Sequence, residues 1–175
     1  MNYAEIKYMD VANGEGIRTS LFVSGCQFHC PDCFNQEAQC YKYGKEYTEQ
    51  TDKEILEEIN KPYIKGLSVL GGDPLWQYYH DILTLAKLVY EVKKLGKTVW
   101  IWSGFTWEEL HQENYHVDDI FFARQTLVEL CDVFVDGRFE KDKKDLSLHW
   151  RGSSNQRVID VKASMRQNEV VLHEE

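Results

Sequence analysis

Short apolar runs alternate with amphipathic segments along this chain, and the first three runs end at glycine-containing turns. Runs rich in β-branched and aromatic residues predict buried strands at 19–23, 66–70, 98–102, 131–135 and 158–161. Apolar residues at helical spacing predict helices beyond Thr51, from Ile82 to Val92 and over 117–130. Strand, turn and helix therefore repeat in one order, which favours parallel strands joined by crossover helices.

Two helix starts carry the pattern of a capping box, in which a hydroxyl and a carboxylate three positions apart each accept from the other's backbone N–H. The first runs from Thr51 to Glu54 and the second from Thr106 to Glu109. Pro62 then marks the exit of the first helix.

The remaining segments are polar and lack a clear period. Residues 36–50 predict a long connection, and the charge run 141–145 predicts a solvated loop. We predict a single α/β domain over residues 1–160, with roughly five to six mostly parallel strands, followed by a mobile tail over 161–175.

Composition narrows the function classes. The 175 residues are 43% hydrophobic and 28% charged, an ordinary globular balance, and no run of about eighteen apolar residues could cross a bilayer. The N-terminus lacks the basic and apolar regions of a secretory signal, so we predict a cytoplasmic protein. A formal charge of -9 argues against direct nucleic-acid binding, which needs clustered Lys and Arg.

Three of the five cysteines, Cys26, Cys30 and Cys33, lie within eight positions just past the first predicted strand. Reduced thiols this close are typical of metal binding or catalysis. A structural zinc site needs four ligands, usually in two closely spaced pairs, and here only Cys30 and Cys33 have that spacing. The same spacing also suits a thiol redox site. A 4Fe-4S cluster held by three cysteines leaves one iron open to a small chelating ligand. Cys40 and Cys131 are expected to be simply packed or solvent-facing.

Two further groups are candidates for function. One predicted strand contains Trp100 and Trp102 and is followed by Phe105. These aromatic side chains suit either a ligand pocket or the core. A second group is richer in polar side chains than a loop needs, so it suits either the grip of a carboxylate or the docking of a partner. Its members are Trp150, Arg151, Ser153, Asn155 and Gln156.

The spacing Cys26-x3-Cys30-x2-Cys33 after an N-terminal strand resembles the signature of the radical S-adenosylmethionine (SAM) superfamily. Across about residues 1 to 160, further motifs resemble, in order, those of the activating proteins of anaerobic (class III) ribonucleotide reductases. These motifs include Asn13-Gly14-Glu15-Gly16, Gly71-Gly72-Asp73-Pro74-Leu75, Trp102-Ser103-Gly104-Phe105, Val135-Asp136-Gly137 and Trp150 to Gln156.

This resemblance implies a partial (βα) barrel of the radical SAM type, with one 4Fe-4S cluster and bound SAM as cofactors. Cys26, Cys30 and Cys33 would hold the cluster and be catalytic through it. The resemblance places six residues against SAM: Asp32, Cys33, Phe34, Gly71, Gly72 and Asp73. Asp73 stands where the superfamily often has Glu, and Asp32 where it commonly has an aromatic residue. Whether Asp73 acts through its side chain or its backbone is left open.

The activity implied is reductive cleavage of SAM to a 5'-deoxyadenosyl radical, which generates a glycyl radical on the large reductase subunit. The implied partners are that subunit and a flavodoxin-like electron donor. Two alternatives remain: an activating protein of another glycyl radical enzyme, such as a formate lyase, and a zinc-stabilised binding module.

Overall fold

The computed structural model describes residues 1–111 and 118–174, and within them the chain forms one seven-stranded sheet and five α-helices. The strands are β1 (Asn2–Asp10), β2 (Arg18–Val23), β3 (Lys45–Glu46), β4 (Gly66–Gly71), β5 (Thr98–Trp102), β6 (Val133–Asp136) and β7 (Arg157–Asp160). The helices are α1 (Glu49–Ile59), α2 (Tyr79–Lys94), α3 (Trp107–His111), α4 (Asp119–Leu130) and α5 (Val161–Gln167). In this part of the chain no helix combines the length and apolarity needed to span a membrane.

The strand order is β3-β1-β2-β4-β5-β6-β7, and the four central strands β2, β4, β5 and β6 are parallel. The α/β class and the parallel centre are therefore confirmed. The outer strands of the sheet are not parallel: β1, β3 and β7 pair antiparallel with their neighbours.

The predicted buried strands all form, with ends that shift by no more than two residues. By contrast, β1 and β3 have no counterpart in the prediction. On β1 the residues Glu5, Lys7, Tyr8 and Met9 are exposed, as suits a strand near the sheet edge, so no apolar run marks it. The helix predicted over 117–130 begins at Asp119, and position 117 lies outside the described residues.

The helix starts test both capping boxes. The box predicted at Thr51 is wrong by one turn: α1 begins after Thr48, whose hydroxyl accepts from the Thr51 N–H at 3.4 Å, while the Thr51 hydroxyl accepts from the Thr48 N–H at 3.1 Å. Two hydroxyls fill the roles that the pattern assigns to a hydroxyl and a carboxylate. The second box is confirmed, since the Glu109 carboxylate accepts from the Thr106 N–H at 2.8 Å.

The segment after residue 160 is built into the fold. Helix α5 buries Val161, Ala163 and Ser164, and the Val171 carbonyl accepts from the Asp160 N–H at 2.9 Å. The sequence did not predict this helix, because its seven residues are too short for a clear period. The division of the chain at residue 160 stays a prediction.

Alternation along the strands separates two faces of the sheet. Leu21, Val69 and Ile101 point to the helix-covered face and are fully or almost fully buried. All four parallel strands end at one rim, which carries the cysteine loop after β2 and glycine-containing turns after β4, β5 and β6. This is the rim at which open parallel sheets bind ligands.

Arg18 joins the opposite ends of three parallel strands on the other face. Its side chain is fully buried, and it donates to Ser68 Oγ at 2.7 Å, to the Leu67 carbonyl at 2.7 Å and to Thr98 Oγ1 at 2.9 Å. Burial lowers the pKa of the guanidinium to about 10. The five N–H donors of arginine suit this role, which one ammonium group cannot fill.

We expect Arg18→Met to destabilise the protein by about 3 kcal/mol, because the acceptors on β4 and β5 lose buried partners. Urea unfolding followed by circular dichroism measures the loss. The matched control is Arg166→Met on the exposed side of α5, which should change stability by less than about 0.5 kcal/mol. Equal midpoints for the two variants would contradict the structural role of Arg18.

Candidate functional site

The cysteine loop, residues 24–39, leaves the carboxyl end of β2 and closes on itself. The Gly25 N–H donates to the Ala38 carbonyl at 2.7 Å, and the Cys26 N–H donates to the Gln39 carbonyl at 3.1 Å. Gly25 has a φ of +110° and lies so close to the Tyr41 ring that a Cβ would come within 2.4 Å of it. Only glycine fits there, so the loop's entry path is fixed.

Three thiols of this loop, those of Cys26, Cys30 and Cys33, are free and partly exposed. Burial raises the pKa of the Cys26 thiol to about 12, and the charges of Asp73, Cys30 and Cys33 add to the effect. Burial also raises the pKa of Cys30. As predicted, Cys40 is exposed and Cys131 is packed in the core.

The donor set fits an iron–sulfur cluster. Thiolates are the soft ligands that such clusters use, and a bound cation favours the thiolate over the protonated thiol. Among the described residues, no three His, Cys, Asp or Glu side chains converge closely enough to hold a single metal ion. A cluster of four irons and four sulfides is wider than one ion, so its ligating sulfurs need not converge on one point.

The glycine turn after β4 is locked against the base of the cysteine loop. The Gly72 N–H donates to the Val23 carbonyl at 2.7 Å, and the Asp73 N–H donates to the Gly25 carbonyl at 2.8 Å. The buried amide of Gln77 donates across the two segments, to the Ser24 carbonyl at 3.1 Å and the Asp73 carbonyl at 2.9 Å. Loop and turn therefore form one rigid unit.

The Asp73 carboxylate faces the protein interior. It accepts from the Leu75 N–H at 2.8 Å, from the Ser103 hydroxyl at 2.9 Å and from the Gly104 N–H at 2.8 Å. Burial raises the pKa of Asp73 to about 6, although these donors favour the ionised form. The side chain thus ties the turn after β4 to the turn after β5.

Asp73→Asn should destabilise the protein by about 2 kcal/mol, since the amide keeps only one acceptor oxygen, whereas Leu75 donates to one carboxylate oxygen and Ser103 and Gly104 donate to the other. Thermal unfolding measures the effect, with the exposed Asp142→Asn as control. An unchanged midpoint in Asp73→Asn would show that the carboxylate does not tie the two turns together.

A strap, residues 137–145, lies over the cysteine loop. Lys141 pairs with Asp32 at 2.6 Å, and the Lys144 ammonium lies 4.9 Å from the centre of the Phe34 ring. The guanidinium of Arg138 lies 4.4 Å from the centre of the Phe28 ring. The sequence predicts 141–145 as a solvated loop; its residues are indeed exposed, but their contacts with the cysteine loop have no local sequence signal.

The polar cluster near residue 155 holds this strap in place. The Gln156 side chain donates to the Gly137 carbonyl at 2.9 Å, and Asn155 donates to the Arg138 carbonyl at 2.8 Å. Ser153 Oγ accepts from the Glu140 N–H at 3.2 Å. These three side chains therefore have a structural role that neither interpretation of the sequence included.

The aromatic candidates divide between core and loop support. Trp100 and Trp102 stack on one face of β5 with ring centres 5.7 Å apart, as strand alternation predicts. Phe105 packs on Phe28 of the cysteine loop with ring centres 4.9 Å apart. Phe34 is 61% exposed and lines a groove of about 650 Å³ together with Cys33 and residues of β1.

Comparison with known proteins agrees with this geometry. Residues 12–159 match the protein-family model described as "4Fe-4S single cluster domain". The anaerobic ribonucleoside-triphosphate reductase-activating protein of Escherichia coli (strain K12) is 40% identical over 161 residues, which cover 90% of this chain and 97% of that protein. The protein of the same name from Enterobacteria phage T4 is 35% identical over 159 residues, covering 90% of this chain and 93% of that protein. The chain therefore belongs to the family of anaerobic ribonucleoside-triphosphate reductase-activating proteins.

Proposed function

We propose that this protein is an oxidoreductase that activates an anaerobic ribonucleotide reductase by generating a glycyl radical on its large subunit. The observation that carries the proposal is the union of the three-thiol loop with the glycine turn at one rim of the sheet. The printed name of the relatives, which describes activation of the reductase, supports the choice of partner.

In this proposal Cys26, Cys30 and Cys33 hold one 4Fe-4S cluster and leave one iron open. When bound, the cluster supplies the electron that cleaves SAM to methionine and a 5'-deoxyadenosyl radical, which removes a hydrogen atom from a glycine α-carbon of the reductase. The chain's own task is to orient these groups and exclude water.

The glycine turn would bind the amino group of SAM through its backbone. The Asp73 carboxylate is already taken up by Ser103 and Gly104, so it positions the turn rather than contacting SAM. Gly71 has no side chain that could obstruct a ligand. Its carbonyl oxygen accepts from the Asn35 amide at 3.2 Å and keeps a second lone pair for an ammonium donor.

The residues around Cys33 would complete the SAM site. The exposed ring of Phe34 borders the groove and offers a face for the adenine. Asp32, paired with Lys141, holds the strap beside it. We further propose that residues 1–160 form a partial barrel of the radical SAM type, that the protein works in the cytoplasm, and that a flavodoxin-like protein supplies the electron.

The test is anaerobic reconstitution with iron and sulfide, followed by addition of SAM, a reductant and the large reductase subunit. We expect an iron–sulfur absorption band, release of methionine and 5'-deoxyadenosine, and the electron paramagnetic resonance (EPR) signal of a glycyl radical. A colourless protein with one bound zinc would overturn the proposal.

A second arm of the experiment offers a formate lyase in place of the reductase. Radical formation on the lyase alone, with SAM cleavage intact, would keep the chemistry and reassign the partner. Radical formation on the reductase alone would support the proposed partner.

A further inference from the structure

One backbone N–H of the cysteine loop is hydrogen-bonded to the sulfur of a proposed cluster ligand. The Phe28 N–H donates to the Cys26 sulfur, with the nitrogen and the sulfur 3.5 Å apart. Cysteine sulfur is a weak acceptor, so this bond contributes little to holding the loop in place. The position of the N–H must therefore be set by the contacts that the rest of Phe28 makes.

The ring of Phe28 is held by three other side chains. It packs edge-to-face on Phe105, with ring centres 4.9 Å apart, and on Trp76, with ring centres 5.5 Å apart. The guanidinium of Arg138 lies 4.4 Å from the centre of the Phe28 ring, and Glu109 holds that guanidinium through two hydrogen bonds of 2.9 and 3.1 Å. Because the ring is joined to the backbone through one methylene group, fixing the ring restricts the N–H of the same residue.

Gly104 leaves the space that the Phe28 ring fills. A Cβ at position 104 would come within 2.5 and 2.6 Å of two carbons of that ring. The backbone of Gly104 lacks the left-handed φ that would itself require glycine. Its N–H donates to the Asp73 carboxylate at 2.8 Å, so the backbone at this position is tied to the glycine turn. The turn after β5 therefore forms a rigid seat for Phe28.

A hydrogen bond to a ligating sulfur affects the electron that the cluster accepts. Reduction of an iron–sulfur cluster adds negative charge, which an N–H donor stabilises. Hydrogen bonds to the sulfurs are accordingly among the factors that set the reduction potential of such clusters.

We infer that Phe28 is a positioning residue whose ring, seated against Gly104, Phe105 and Trp76, keeps its N–H on the Cys26 sulfur and thereby raises the reduction potential of the cluster. This inference rests on the proposed function, since it needs Cys26 to be a cluster ligand. It also gives a role to the motif from Trp102 to Phe105.

The test disturbs the seat from both sides. Phe28→Leu removes the ring, and Gly104→Ala places a methyl group against it without changing the cysteine loop. At a fixed solution potential we expect the ratio of reduced to oxidised cluster, measured by EPR-monitored titration, to fall about threefold in each variant. This corresponds to about 28 mV, because tenfold is about 59 mV for a one-electron couple. In the cluster-free protein, the residue 28 amide should exchange hydrogen faster relative to the other amides of the loop.

The matched control is Phe134→Leu, the same change at a fully buried position of the main core. It should lower thermal stability and leave both the potential and the relative exchange rate of the residue 28 amide unchanged. If Phe28→Leu and Gly104→Ala keep the wild-type potential and lose only cluster content or stability, or if Phe134→Leu lowers the potential equally, the inference is wrong. Failure of the wild type to take up a cluster would instead count against the proposed function.

Discussion

Replacing Cys30 with alanine should abolish cluster binding and SAM cleavage together. The residue supplies one of three thiols on a loop that is closed by the Gly25 and Cys26 backbone bonds, so no neighbouring side chain can move in to replace it without breaking the loop. Two remaining thiolates leave a second iron without a protein ligand. Iron and sulfide content after anaerobic reconstitution, with the EPR spectrum of the reduced sample, measures the loss.

Cys40→Ala is the matched control, because Cys40 lies just past the same loop and is exposed. It should reconstitute like the wild type, with equal iron content and equal rates of SAM cleavage. Cys26→Ala and Cys33→Ala should behave as Cys30→Ala does. SAM cleavage that survives in Cys30→Ala would refute the ligand assignment and reopen the question of which thiols bind the cluster.

The central fold could be predicted because its strands are buried on both faces. The short apolar stretches in β2, β4, β5 and β6 reflect parallel strands whose residues are buried on both faces of the sheet. A strand near the sheet edge has no such requirement: β1 is paired on its outer side only at Asn2 and Tyr3, so it carries exposed Glu5 and Lys7 and lacks an apolar run. The capping error at α1 has a different cause. Thr48 and Thr51 each carry a hydroxyl suited to a helix start, and the helix begins after the first of them.

The candidate site could be predicted only where its chemistry is local. The spacing of Cys26, Cys30 and Cys33 and the paired glycines are visible in a few consecutive residues. The roles of Asp73 and Asn155 depend on partners about thirty and seventeen residues away, which only the fold brings near. A charge run therefore looked merely solvated, although Lys141 pairs with Asp32 across more than one hundred residues.

Gly72→Ala should leave the cluster in place but reduce SAM cleavage by about a hundredfold, the cost of misplacing a reacting group by about 1 Å. A Cβ at position 72 would lie 2.6 Å from the carbonyl oxygens of Gly25 and Ala38 and 2.8 Å from the Gly25 nitrogen. All three obstacles are backbone atoms of the cysteine loop, and they cannot rotate aside as a side chain would. The glycine turn must therefore move away from the loop that holds the cluster.

The control for this change is Gly96→Ala, because position 96 has open space around it and a φ of +71°. That variant should lose about 1 kcal/mol of stability through backbone strain and keep its activity. Rates of methionine release at saturating SAM, together with iron content, separate the two outcomes. Wild-type cleavage in Gly72→Ala would mean that the contact between turn and loop does not position SAM, and the glycine turn would then lose its proposed role.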